Sequence, residues 1–493
     1  MRNCTLDQRS ILLLASQYSL AVFIGSFFTV IPAFGQILGQ LPTFPQTQSA
    51  PARSSASPDQ PQTVTPTTSQ SLPQSNDVTA LSFQQAIQTA LANNFRARLA
   101  QERINEATGK AQEARGGLLP EMVGVITQRS ETVNLAAMGF QAGLFPGSLP
   151  LLIGPFDNFD ARARLVQSIF NWRAIQQYRA GQSGLKLARV EEQMMRQQVV
   201  TQTALAYLNS ISAERAVEAA QANLALAQSL FKLAQDRRDA GVATGIDVTR
   251  AQIRAAEEQL RLVQTQTNAQ QARIAFLRVV GLPLANAVKL TEALPFLPEP
   301  LPGVEQLVTE AQRERPEIRA AEEQLQVSGY SLSAAKAERL PTVDFVGDYG
   351  ESGNTPWRNA VPTRTAGVRV TIPLFGGRTQ GRITQARSQQ QQAALRLQDT
   401  RTQVEEDVRL ALQNITTAAE QVRVAQQALA LAQREVEMAR DRFSAGVADN
   451  LEVVNAQTSL ANAREREVAA LAQYNAARIN LAAARGQVEA FHW

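Results

Sequence analysis

The chain of 493 residues has one histidine and one cysteine. His492 stands beside the last residue, so the rest of the chain cannot supply a Ser-His-Asp nucleophile or a histidine-ligated metal. Cys4 precedes the apolar stretch Ile11–Ile31, and everything after it lacks a disulfide or a thiol nucleophile. Aromatic residues are scarce at 6%, which is not the composition of an ordinary globule of this length. The net charge of +4 is spread over mixed-sign faces and is too dilute for a nucleic-acid footprint. After the first stretch, no run approaches the roughly 18 consecutive apolar residues of a membrane-crossing helix. Phosphate loops are missing too: Gly376-Gly377 sits between a strand pattern and a helix pattern, without the Lys-Ser/Thr that phosphate binding needs. Carboxylates recur at helical spacing among lysines and arginines, as on a solvated, salt-bridged helix face. Nothing here calls for a cofactor or for enzyme chemistry.

Arg2, Asp7 and Arg9 precede Ile11–Ile31, and Ala33-Phe34-Gly35 follows it. Residues 1–35 therefore read as a secretory signal peptide, with an uncleaved membrane anchor as the alternative. Residues 36–79 are rich in Pro, Thr, Ser and Gln and bury too little apolar surface to fold, so a disordered linker is expected. Beyond position 80, Ala, Gln, Arg, Glu and Leu dominate, as in long helices or coiled coils.

That second part says nearly the same thing twice. "RDAGVATGIDVTRAQ" around Gly241 returns as "FSAGVADNLEVVNAQ" around Gly446, 205 positions on. The register holds from Phe170 and Phe375 through Gln252 and Gln457 to Gly281 and Gly486. A unit of this size means a duplicated, domain-sized element rather than a short-period solenoid. Repeat 1 spans 80–281, repeat 2 spans 304–486, with a Pro-rich connection over 282–303 and a tail over 487–493. Each repeat opens on an expected helix (Leu81–Arg115, Val304–Arg339) that stops at a Leu-Pro pair. Period-two alternation then predicts strands at about 120–130 and 161–170 in repeat 1, and about 341–349 and 364–375 in repeat 2. Ala161, Ala163 and Leu165 oppose Arg162 and Arg164, whereas Glu121–Arg129 alternates less cleanly. Such a two-faced strand suits a soluble sandwich, or a barrel with lipid outside and water inside. Loops are expected over Ser130–Asp160 and Gly350–Pro362. Each repeat closes with a long helix (171–240, 376–445), a break at Gly241 or Gly446, and a return helix (246–280, 451–485). A helix of about 100 Å exceeds a globule's diameter and belongs to a coiled-coil assembly, in which Ala227, Ala234, Ala432 and Ala439 permit close approach. The fold class is mainly α with a small β part. The aromatic end Phe491-His492-Trp493 follows a helix and is expected to be frayed.

Signal peptide, duplicated helix–strand–strand–long helix–helix units and the Gly-x-x-x-x-x-Asp/Glu-Val turn together resemble the TolC family of outer-membrane efflux proteins, over residues 80–486. The resemblance implies a homotrimer in which four strands per chain close a twelve-stranded barrel in outer-membrane lipid. The helices would continue as a tunnel across the periplasm toward an adaptor protein and an inner-membrane pump of RND or ABC type. It further implies a conduit for efflux or type I secretion. A periplasmic adaptor or structural coiled-coil protein is the alternative, although adaptors usually carry one helical hairpin and this chain shows two. By family pattern the periplasmic constriction falls at Asp247, Glu452, Asn455 and Phe443, and the turns that dock the adaptor at Gly241, Val242, Gly446 and Val447. Two departures concern the family's polar link: this chain has Phe443 and Ala448 where a tyrosine and an arginine would donate side-chain hydrogen bonds. Asp247 and Glu452 also suit helix N-terminal capping and dipole complementarity, and the two roles are compatible.

Overall fold

A computed structural model describes residues 79–139, 151–298 and 300–493. The expected signal peptide and nearly all of the linker lie outside these residues. Each repeat begins with two short helices rather than one long one. In repeat 1, strand β1 (Thr79–Leu81) leads into α1 (Phe83–Asn93) and α2 (Phe95–Gly116). Asn94 makes the break: its side chain accepts from Arg96 N–H at 2.8 Å to start α2 and donates to the Val279 carbonyl at 2.8 Å. Repeat 2 breaks at Pro316, which has no N–H to continue a helix and so opens one instead. The connection between repeats is not wholly irregular, since β4 (Val288–Leu290) pairs in parallel with β1. Helices α5 (Val304–Glu314) and α6 (Pro316–Ala337) flank the break in repeat 2.

Four strands, β2 (Glu121–Asn134), β3 (Leu152–Phe170), β5 (Thr342–Gly353) and β6 (Val361–Thr371), form one antiparallel sheet in the order β2-β3-β5-β6. Three strands run further than alternation suggested: β3 begins at Leu152 and β2 continues to Asn134, both inside the expected loop Ser130–Asp160, and β5 continues to Gly353, inside the expected loop Gly350–Pro362. Strand β6 starts earlier, at Val361, but stops at Thr371, short of the expected 375. Residues facing each other across the ladder share a face, so register sorts the side chains. Arg164 lies opposite Asp348, and Asp344 opposite Arg369. Arg162 bonds Asp160 at 2.7 Å and Asp348 at 3.2 Å. The other face carries Met122, Ile126, Leu165, Phe345, Val368 and Val370. Strand β2 alternates poorly because Val123 and Val125 pair with Arg164 and Arg162 on the charged face. No other element covers the free edges of β2 and β6 among the described residues.

Helices α3 (Trp172–Asp239) and α7 (Gly377–Ser444) each run 68 residues away from the sheet, about 100 Å, and α4 (Gly245–Val280) and α8 (Asn450–Ala484) return beside them. Heptad-spaced alanines are buried along α3 (Ala220, Ala227, Ala234) and α7 (Ala418, Ala425, Ala432, Ala439), which lets the helices approach closely. Midway along α3, Phe83, Tyr207 and Phe276 form a core with β1 and β4. The chain end belongs to it and is not frayed. Trp493 donates to the Ala293 carbonyl at 2.6 Å and packs 5.3 Å from the Phe83 ring, with Phe491 at 5.7 Å. No described helix is long and apolar enough to cross a membrane.

Candidate gate and docking site at the helix tips

Both long helices end in the same way. The N–H of Val242 returns to the Arg237 carbonyl at 2.9 Å and that of Val447 to the Arg442 carbonyl at 3.0 Å. These closures require a left-handed residue, supplied by Gly241 at φ 76° and Gly446 at φ 77°. Each turn then presents an apolar side chain to the outside: Val242 is 63% exposed and Val447 70%.

The four expected gate residues sit in different surroundings. Asp247 starts α4 in a capping box: it accepts from the Thr244 hydroxyl at 2.6 Å and from the Thr244 N–H at 3.0 Å. The hydroxyl contact first, then the N–H and nearby Arg250, hold its carboxyl below the usual carboxylate range, against the opposing effect of burial. Glu452, its counterpart in repeat 2, receives the cap differently: Asp449 takes the Glu452 N–H at 3.2 Å, and the Glu452 carboxylate pairs with Arg442 at 3.1 Å. It is thus not a lone acid. Asn455 is exposed one turn further along α8. Phe443 is buried, at 4% exposure, among Val436, Val453 and Leu460.

Two contacts across the repeats were not foreseen. The Arg237 guanidinium lies 4.5 Å from the centre of the Phe443 ring and also donates to the Phe443 carbonyl. Its buried Nε has no hydrogen-bond partner. The Asn450 side chain donates to the Asp247 carbonyl at 2.7 Å, tying the start of α8 to the start of α4. Where the family pattern has a polar link at this height, a stacked cation and an amide hold the two hairpins together. The sequence carried only half a signal: Arg237 and Arg442 are repeat equivalents, yet one stacks on Phe443 and the other pairs with Glu452.

The model of the outer membrane efflux protein family matches residues 86–282 and 307–487, and the chain belongs to that family. It is 30% identical over 318 residues to protein CyaE of Bordetella pertussis, covering 63% of this chain and 66% of that one. It is also 23% identical over 314 residues to the alkaline protease secretion protein AprF of Pseudomonas aeruginosa, covering 62% of this chain and 65% of that one. The matches thus span just under two thirds of these relatives' lengths. Among solved structures, the CmeC outer membrane channel of Campylobacter jejuni superposes with a TM-score of 0.74 at 18% identity, covering 82% of this chain and 86% of that one. The outer membrane protein VceC of Vibrio cholerae gives 0.70 at 21%, covering 82% and 96%. At these identities the likeness is one of fold: a long-helix body with a small antiparallel sheet.

Proposed function

We propose that this chain is the outer-membrane channel-tunnel of a tripartite efflux or type I secretion system, a passive conduit working as a homotrimer. The observation that carries the reading is a two-faced, edge-open sheet of four strands joined to two helices of about 100 Å. Four strands cannot close a barrel, and open edges are not tolerated in lipid. Because β2 and β6 run in opposite directions, β6 of one copy can pair with β2 of the next and keep the sheet antiparallel throughout. Three copies give a barrel of about twelve strands, wide enough to hold water. The Arg162–Asp348 face then lines the lumen, and the Ile126–Leu165–Val368 face meets hydrocarbon.

In this reading the helix tips face the periplasm. Val242 and Val447, each beside its glycine turn, dock an adaptor protein that joins the channel to an inner-membrane pump. Asp247, Glu452, Asn455 and the Arg237–Phe443 contact form the constriction above them. The test is fractionation followed by reconstitution. The protein should need detergent, co-sediment with outer membrane, and conduct in planar bilayers; release from the periplasm without detergent would reject the reading.

A further inference from the structure

Two helix faces are left without a partner inside the chain. Helix α4 packs on α3, α8 and, at its upper end, α1, and α7 packs on α8, α6 and α5, so α4 and α7 form opposite flanks of the helical body. Each flank carries a heptad stripe of exposed apolar residues. On α4 it is Ile246, Ile253, Leu260 and Ile274, all between 47% and 61% exposed, with Thr267 in the one remaining place. On α7, read from the tip upward, it is Met438, Leu431, Val424 and Leu410, between 50% and 60% exposed, with Thr417 in the remaining place. Single exposed apolar residues need no explanation, but a regular stripe on each of two long helices does.

We propose that the α4 stripe of one copy packs on the α7 stripe of the next, in one fixed antiparallel register. The layers are Ile246 on Met438, Ile253 on Leu431, Leu260 on Val424, Thr267 on Thr417 and Ile274 on Leu410. The inference rests on the trimeric channel reading and adds the contact that seals the tunnel wall. Three observations select the register. Helices α4 and α7 run in opposite directions, and their stripes begin at the same end, Ile246 five residues after Gly241 and Met438 eight residues before Gly446. Four of the five layers match apolar with apolar, and the fourth matches threonine with threonine. A slip of one heptad sets each threonine against an aliphatic side chain, the penalty by which one polar layer fixes coiled-coil register. Between the first two layers the register brings Arg250 beside Glu435; neither makes a close ion pair among the described residues, and Arg250 otherwise lies only near Asp247. Between the next two it sets Ala256 against Ala428, leaving room for the flanking large side chains.

The same neighbours meet in the sheet. Strand β3 leads into α3 and β6 into α7, so the β6 and α7 flank of one copy faces the β2 and α4 flank of the next. The contact is heterologous, and such contacts close into rings when the rotation allows.

The experiment uses the full chain with Cys4→Ser, in detergent, carrying either Ile253→Cys with Leu431→Cys or Ile253→Cys with Val424→Cys. The second pair is displaced by one heptad, about 10 Å along the helix. With a short thiol cross-linker, the first pair should give a covalent trimer on denaturing gels and the second at least tenfold less. Equal yields from both pairs, or none from either, in a sample whose native mass is three chains would overturn the seam and leave the trimer standing. A single-chain native mass would overturn both.

Discussion

At the scale of single residues the tips are held by a few contacts, each open to substitution. Removing Arg237 takes away the stacked cation and a donor to the Phe443 carbonyl. Arg237→Ala should therefore loosen the constriction and raise single-channel conductance in planar bilayers, while Arg237→Lys, which keeps the charge but loses the planar stack, recovers only part of the wild-type value. The carboxylates act through charge. Glu452→Gln should lower cation selectivity and weaken block by multivalent cations from the periplasmic side, whereas Arg442→Gln, which unmasks Glu452, should raise both. Reversal potentials under a salt gradient read these shifts, and high salt should shrink them. Asp247 has the depressed pKa of a capping carboxylate. Its contribution to tip stability is present above the ordinary carboxylate pKa and is lost as pH falls through its lowered value. Thr244→Val should bring that loss to higher pH, seen as earlier fraying of the tip in hydrogen exchange during acid titration.

At the scale of elements, the helix ends are set by backbone geometry. A branched residue at a positive φ costs about 1–2 kcal/mol, so Gly446→Val should destabilise the second tip by that order and weaken adaptor docking in a pull-down, with Gly446→Asn milder. These turns were legible in the sequence because Gly241 and Gly446 recur at matching places, and so were the two long helices. Other elements were hidden for identifiable reasons. Strands β1 and β4 are three residues each, too short for alternation to show, and pair only because the fold brings them together. The break at Pro316 was written in the sequence and overridden by the helical periodicity around it. The break at Asn94 depends on a carbonyl in another helix, that of Val279. Contacts across the repeats, Arg237 with Phe443 and Asn450 with Asp247, belong to tertiary packing that no local pattern records. Asn450 stands where repeat 1 has Gly245, so the duplication itself concealed its role.

At the scale of the molecule, orientation is the first test. Met138, at 65% exposure beside the β2–β3 turn, and Ala243, in the α3–α4 turn, lie at opposite ends of the described body. On intact cells Met138→Cys should react with an impermeant thiol reagent and Ala243→Cys should not; the reverse pattern would place the molecule upside down. The uncovered edges of β2 and β6 have a further consequence, for gene dosage. In the trimeric channel proposed above, each edge is completed only by a neighbour, so one defective chain would spoil every ring it enters. If a variant that keeps β2 but cannot pair through β6 is made in equal amount with the normal chain, random mixing leaves about one eighth of the rings wholly normal. A loss-of-function allele that produced no chain would leave half the normal protein, all of it competent. The edge variant should therefore be dominant over the wild type where the null is recessive, and the ratio of the two export rates would count the chains in the ring without isolating it.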